Sequence, residues 1–242
     1  MKDWFQAVLH AGRDLSDEAE GYLRGRGMRE SLISELEMAI WHNPKEPAPN
    51  EAFCKKYGAH GEYLEGKLIC PFLSPRGEIL GFEGRAWNGE KKITDYRMTE
   101  SSWNPVFIGL TQPAMRRLWD GGNVWIVEGL FDLTALERVV PERDVVLATV
   151  RAKLSRAHVE FLRRYVRQGQ LVRMVYDNDP TGRKQITGWV DPTGKERWGA
   201  LKLLERVGVE CQDFPYSGGK DPGEIWDKGG EAVLRRVFAT IF

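Results

Sequence analysis

Residues 173–184 read RMVYDNDPTGRK, an apolar strand-like run that ends in two aspartates, Asp177 and Asp179, flanking one asparagine. Asp, Pro and Gly are common turn residues, and a turn can close here without any chemistry. Residues two apart on extended backbone, however, point to the same side, so both carboxylates would address one point. Two anions so placed repel unless a cation sits between them. On charge grounds alone, removing either one should slightly raise the melting temperature of the metal-free chain.

Outward from this stretch a strand-then-helix pattern repeats. NVWIVEG (123–129) precedes LFDLTALERVV (130–140), and DVVLATV (144–150) precedes SRAHVEFLRRYVRQG (155–169). QLVRMVYDND (170–179) is followed, after an interruption, by GALKLLERVG (199–208), and VECQDFPY (209–216) by DPGEIWDKGG (221–230). Short apolar strands alternating with amphipathic helices imply an α/β fold with a parallel sheet and right-handed crossovers. Ligands in such sheets bind beyond the carboxyl ends of the strands. Glu128, Asp177 and Asp179 fall at those ends, Asp132 lies one helical turn past Glu128, and Asp221 opens the segment after the fourth strand.

Five carboxylates at one sheet edge call for a hard cation, and magnesium, or manganese in its place, prefers oxygen ligands and bridges to phosphates. His10, His42, His60 and His158 are dispersed, and Cys54, Cys70 and Cys211 show no Cys-x-x-Cys spacing, so no zinc is expected. The chemistry inferred is phosphoryl transfer, with two metals held by Glu128, Asp177 and Asp179.

Composition sets bounds on the partners. Lys plus Arg equals Asp plus Glu at 35 each in 242 residues, so any nucleic-acid contact must come from a local concentration of positive charge. The N-terminus turns acidic before a signal-peptide apolar run develops, and no run reaches membrane-spanning length, which points to a cytoplasmic protein with no membrane partner. Residues 15–42 read as two short helices, with Ser16 as N-cap and Gly25 and Gly27 as the break. NPKEPAPNE (43–51) is a connection, and GKLICPFLSPRGEILGFEGRAWNG (66–89) gives two strands around the turn SPRGE. This middle zone is locally basic: Arg76, Arg85, Lys91, Lys92 and Arg97 interleave with Phe82, Trp87 and Tyr96. Such a mixture suits a solvated hairpin face or a groove for nucleic acid.

VEGLFDLTAL, VYDNDPTGRK and GGKDPGEIW, in this order and spacing, resemble the three acidic motifs of the Toprim domain shared by DnaG-type primases, topoisomerases and some nucleases. EGYLRGRGMRESLISELEMAI is similar to the helical start of the primase polymerase core, KLICPFLSPRGEILGFEGRAWNG to its basic hairpin, and DYRMTESSW to the segment after it. The resemblance covers residues 18–230 and implies a mixed N-terminal α+β subdomain (1–120) followed by a Toprim domain (121–242) whose parallel sheet is flanked by helices. It implies template-directed synthesis of RNA primers from ribonucleoside triphosphates on single-stranded DNA. Glu128, Asp177 and Asp179 match the metal-binding acids, with Asp132 and Asp221 in support, and Arg76 and Arg85 match the hairpin region that meets template or nucleotide phosphates. Two departures stand out. The family's basic residue before its Tyr is Asp95 here, with Arg97 displaced by two, and LATVRAKLSRAH replaces a Gly-containing turn, so Arg151 and Lys153 stand either near the phosphates or at the start of a surface helix. Lys184 and Lys220 complete the basic candidates.

Family members carry a zinc-binding domain before this core and a helicase-binding domain after it. Neither has a counterpart in these residues, so the chain is expected to be an excised domain or a minimal primase of phage or mobile-element type. Template recognition would then come from a replicative helicase or a separate protein. DPTGRKQ (179–185) recurs as DPTGKER (191–197), which reads as a hairpin inserted near 185–198 between the catalytic strand and its helix, its base at the carboxyl edge. A Toprim nuclease and a non-catalytic primer-template binding module are the competing readings.

Overall fold

The computed structural model describes residues 2–87, 107–151 and 153–238, together with the backbone of 93–97. An opening helix not expected from the sequence, α1 (Lys2–Ala11), buries Phe5, Val8 and Leu9, the three- and four-residue spacing of a helical stripe. Ser16 caps α2 (Asp17–Gly25), its hydroxyl accepting the Ala19 N–H at 3.3 Å. Then α3 (Glu30–Glu35) stops earlier than expected. Glu37 takes a left-handed backbone (φ 53°), and Ala39–Ile40 become strand β1, so the second helix does not run on to residue 42.

The Pro-rich connection leads into α4 (Glu51–Tyr57), capped by Asn50. The expected hairpin forms from β2 (Leu68–Leu73) and β3 (Ile79–Arg85), closed by hydrogen bonds between Ser74 and Glu78, with Gly77 at φ +78° supplying the left-handed turn residue. Among the described residues, β1, β2, β3 and β4 (Ile93–Arg97) make one antiparallel sheet in that order. Phe5, Trp41, Phe53 and Phe82 pack beneath it, with the Phe5 and Phe82 ring centroids 5.0 Å apart.

After α5 (Gln112–Trp119) comes the alternation read from the sequence: β5 (Val124–Val127), α6 (Leu130–Leu136), β6 (Val145–Ala148), α7 (Arg156–Tyr165), β7 (Val172–Met174) and α8 (Pro180–Thr187). A small hairpin, β8 (Trp189–Val190) with β9 (Glu196–Arg197), precedes α9 (Ala200–Glu205), β10 (Cys211–Asp213) and α10 (Pro222–Val237). The larger strands form a parallel sheet in the order β10-β7-β5-β6. Both faces are covered, as the near-continuous apolar strands require. Trp125, Val127, Val146 and Ala148 face a cluster with α2, α3, α6 and α10, while Val124, Ile126, Val145 and Leu147 face α5, α7 and α9.

The first of these clusters runs across both halves of the chain. Its edge is reinforced at the turn after α2, where Trp226 Nε1 donates to Gly25 O at 2.9 Å and Thr134 Oγ1 to Arg26 O at 3.0 Å. Phe131 of α6 is held by two guanidinium groups, Arg26 and Arg85, each 4.4 Å from the ring centroid. The N-terminal hairpin is thereby docked against the helix that follows the first acidic motif.

Candidate active site

Glu128 follows the last residue of β5, and Asp177 stands three residues beyond β7, so both emerge at the carboxyl edge of the parallel sheet. The Asp177 N–H donates to Glu128 Oε1 at 3.1 Å, which ties the first motif to the second. Asp179 is the N-cap of α8, one oxygen accepting the N–H groups of Thr181 and Gly182 at 2.8 Å each. Its other oxygen lies 3.5 Å from Lys220 Nζ, and Asp177 Oδ2 lies 2.6 Å from the same ammonium. The two carboxylates therefore do address one point, as the spacing suggested. Asp179 serves as a helix cap and a half-buried anion at once.

Asp221 caps α10 in the same way, accepting the Glu224 N–H at 2.6 Å. Asp132 is committed to structure: it accepts the Gly129 N–H at 3.0 Å with one oxygen and the Gly223 N–H at 3.2 Å with the other. It thus fastens α10 to α6, and a side chain at Gly223 would press on both Asp132 and Asp221.

The charges are poorly compensated. Burial, then the Asp177 and Asp179 charges, push the Glu128 carboxyl up to about 7. Asp132 is held well above the carboxylate range by burial and by Asp221 and Asp177. Asp177 is raised by burial in spite of Lys220, whereas the helix N–H groups, Gly182 first, lower Asp179. Lys220 is raised by its bond to Asp177.

Glu128 makes stability depend on pH. The folded state holds its proton more tightly than the unfolded chain, so this contribution is full below pH 4.5 and is lost as pH rises through about 7. In metal-free protein, Glu128→Gln should therefore be more stable than the parent at pH 8 by about 1–2 kcal/mol, after discounting for solvent screening of a half-exposed group. The difference should vanish near pH 4.5 in paired thermal melts.

A cavity of about 280 Å³ opens over Glu128, Asp132, Asp177 and Asp221, with Asp179 outside its lining, and is lined also by Glu83, Arg85, Val150 and Arg151. Four of its acids come from the parallel-sheet half, and β3 brings Glu83 and Arg85 to the same cavity. Glu83, which the sequence reading missed, is 4% exposed and accepts from Arg85 Nη2 at 2.9 Å. Their spacing of two along a strand was the available signal. Val150 takes the left-handed conformation (φ 67°) in the loop after β6, a strained choice for a β-branched residue.

Of the remaining candidates among the described residues, Arg151 reaches the cavity and the others do not line it. Arg76 sits in the exposed turn at the opposite end of β3 from Arg85, roughly 20 Å along the strand. Arg151 and Lys153 are exposed on the loop after β6, and Arg97 lies in β4, its backbone paired with Gly81. Lys91 and Lys92 lie outside the described residues. Lys184 is in the last turn of α8, beside the small hairpin. That hairpin forms within 185–198, as expected, but its base does not lie at the carboxyl edge. Because α8 starts at Pro180, directly behind Asp179, the hairpin leaves the fold at the far end of α8, about 12 Å from the carboxyl edge.

Known proteins are similar to this chain in sequence and fold. Residues 125–225 match the Toprim-like family model. The chain is 28% identical over 187 residues to the DNA primase of Aquifex aeolicus, covering 74% of this chain and 33% of that one. It is 26% identical over 245 residues to the DNA primase of Thermotoga maritima, covering 92% and 39%. It therefore spans between a third and two fifths of these relatives. Among solved structures, the zinc-binding and RNA polymerase domains of the Aquifex aeolicus primase superpose with a TM-score of 0.67 at 22% identity, covering 97% of this chain and 59% of that one. A DnaG primase catalytic domain bound to ssDNA gives 0.65 at 17% identity, covering 99% and 78%.

The Toprim fold implies a divalent metal at this edge, and the donors fit it: they are carboxylate oxygens, raised in pKa by burial and mutual repulsion, and a cation already lies between two of them. Among the described residues no three acids are gathered tightly enough to enclose an ion. Magnesium, which keeps its waters and shares phosphate oxygens, does not need such a cage. Residues 125–225 match the Toprim-like family, and the chain resembles the catalytic core of DnaG-type primases in both sequence and fold.

Proposed function

We propose that the chain is the catalytic core of a DNA primase, joining ribonucleoside triphosphates into short RNA primers on a single-stranded DNA template. The observation that carries this is the cavity that is lined by the acids Glu128, Asp177 and Asp221 together with Arg85 of a docked antiparallel hairpin. An acid-only site would suit hydrolysis equally well. A guanidinium in the same cavity as the acids gives a nucleotide's phosphates a partner.

In the reaction a 3′-hydroxyl attacks the α-phosphorus of an incoming triphosphate, a P–O bond forms, and the bond to the β-phosphate breaks, releasing pyrophosphate. Magnesium, with manganese as a substitute, would be held by Glu128, Asp177 and Asp179, lowering the charge on the phosphate oxygens. Asp132 and Asp221 act by support, locking α6 and α10 so that the acids keep their positions. Arg85 and Arg151 line the same cavity and orient phosphates. We assign residues 1–120 to a unit that presents the hairpin and 121–242 to the Toprim unit. A helicase or a separate template-recognition protein would be its partner.

The test is incubation with circular single-stranded DNA, magnesium and labelled ribonucleotides, with and without candidate partners. Template-dependent oligoribonucleotides carrying a 5′-triphosphate are expected. Cleavage of labelled DNA without nucleotides, and no synthesis under any condition, would replace this reading with a nuclease.

A further inference from the structure

Lys220 occupies a place that the family reading leaves unexplained. Its ammonium lies 2.6 Å from Asp177 Oδ2 and 3.5 Å from Asp179 Oδ2, between the two acids assigned above to metal. The main chain of this residue is pinned: its N–H donates to Glu224 Oε2 at 2.5 Å, and its carbonyl accepts from the Asn178 N–H at 2.6 Å and from Tyr216 Oη at 2.8 Å. Its side chain is not enclosed. It is 54% exposed, so the four-carbon stem can swing into water without moving the loop.

We propose that the Lys220 ammonium is an internal counter-ion, holding Asp177 and Asp179 together in the metal-free protein and displaced to solvent when a divalent metal binds them. This rests on the metal reading above. The two cations compete for the same oxygens. A dication on Asp177 and an ammonium on Asp177 would share one carboxylate oxygen at close range, and like charges so near repel strongly where burial lowers the dielectric. Conversely, with neither cation present the two acids would face each other uncompensated. The pinned backbone keeps the lysine within reach, so displacement is reversible. Lys220 is then a positioning residue, acting through the metal ligands, and it sets the metal concentration at which the site fills.

The test reads the lysine and the metal separately. In the parent protein, acylation of Lys220 by an amine-reactive ester, followed by peptide mass spectrometry, should accelerate several-fold on adding saturating magnesium. Lys2 and Lys202, paired with Glu78 and Glu196 away from the site, should not change. In calorimetric or spin-resonance titrations with manganese, Lys220→Met should bind about tenfold more tightly than the parent, and Lys220→Arg should not. Acylation of Lys220 that ignores the metal, or Lys220→Met with parental affinity, overturns the proposal. Manganese binding that Asp177→Asn abolishes, with Lys220 acylation unchanged, sinks this proposal alone. Failure of the parent to bind manganese at all sinks it together with the metal reading.

Discussion

Asp177→Asn and Asp179→Asn are each expected to reduce template-dependent ribonucleotide incorporation by at least about a thousandfold, the scale of losing a charge that positions a reacting phosphate. Asparagine separates charge from architecture here. At position 179 it is as good an N-cap as aspartate, so its amide oxygen can still accept from Thr181 and Gly182, and α8 should start unchanged. At position 177 the volume is kept, while the ion pair to Lys220 is lost. Circular dichroism and thermal melts on the same preparations establish that folding survives. Repulsion between the two acids taken alone would raise the metal-free melting temperature on removing either. With Lys220 already offsetting that repulsion, the shift for Asp177→Asn should be small. Parental incorporation by either folded variant would remove these acids from the metal site.

Much of this site was legible because its determinants are local or follow from topology. The period of apolar strands and helices between residues 123 and 216 requires a parallel sheet, and strand ends in such a sheet bring Glu128, Asp177 and Asp179 together whatever the loops do. The tetrapeptide DPTG shows where local reading fails. At 179–182 its aspartate caps a helix, with Gly182 inside α8 against the Asp177 backbone. At 191–194 its aspartate accepts from the N–H groups of Thr193 and Lys195, Gly194 turns left-handed, and a hairpin closes. The residues downstream of each copy make the difference. Ile186, four residues after the first copy, is buried among Met174, Tyr176 and Leu204, so tertiary packing extends the first turn into a helix. The second copy leads instead to Glu196 and Arg197, both exposed, which give a helix nothing to anchor on. The early end of α3 has the same origin: Ala39 pairs with Ile69, thirty residues away, and a non-local strand pairing overrides a helical run.

Arg85→Ala should destabilise the protein by about 3–5 kcal/mol, the range seen when one partner of a buried ion pair is removed. Glu83 is 4% exposed, and Arg85 donates to it through Nε at 3.3 Å and Nη2 at 2.9 Å. Removing the guanidinium strips a buried carboxylate of its counter-charge, and the contact with the Phe131 ring, worth about 0.5–2 kcal/mol, goes too. Denaturant melts measure the loss directly. The double variant Glu83→Gln/Arg85→Ala removes the stranded charge and should recover most of the stability, since deleting both members of a buried pair costs far less than deleting one. This recovery is what makes the binding question answerable. A single alanine variant that binds template or nucleotide poorly could simply be loosely folded. If the stable double variant still binds more weakly, and the slope of log affinity against log salt concentration falls by about one, Arg85 contacts a phosphate. If its slope and affinity match the parent, Arg85 belongs to the fold, as the clamp that docks the hairpin on Phe131, and the phosphates must be met by other groups in the cavity.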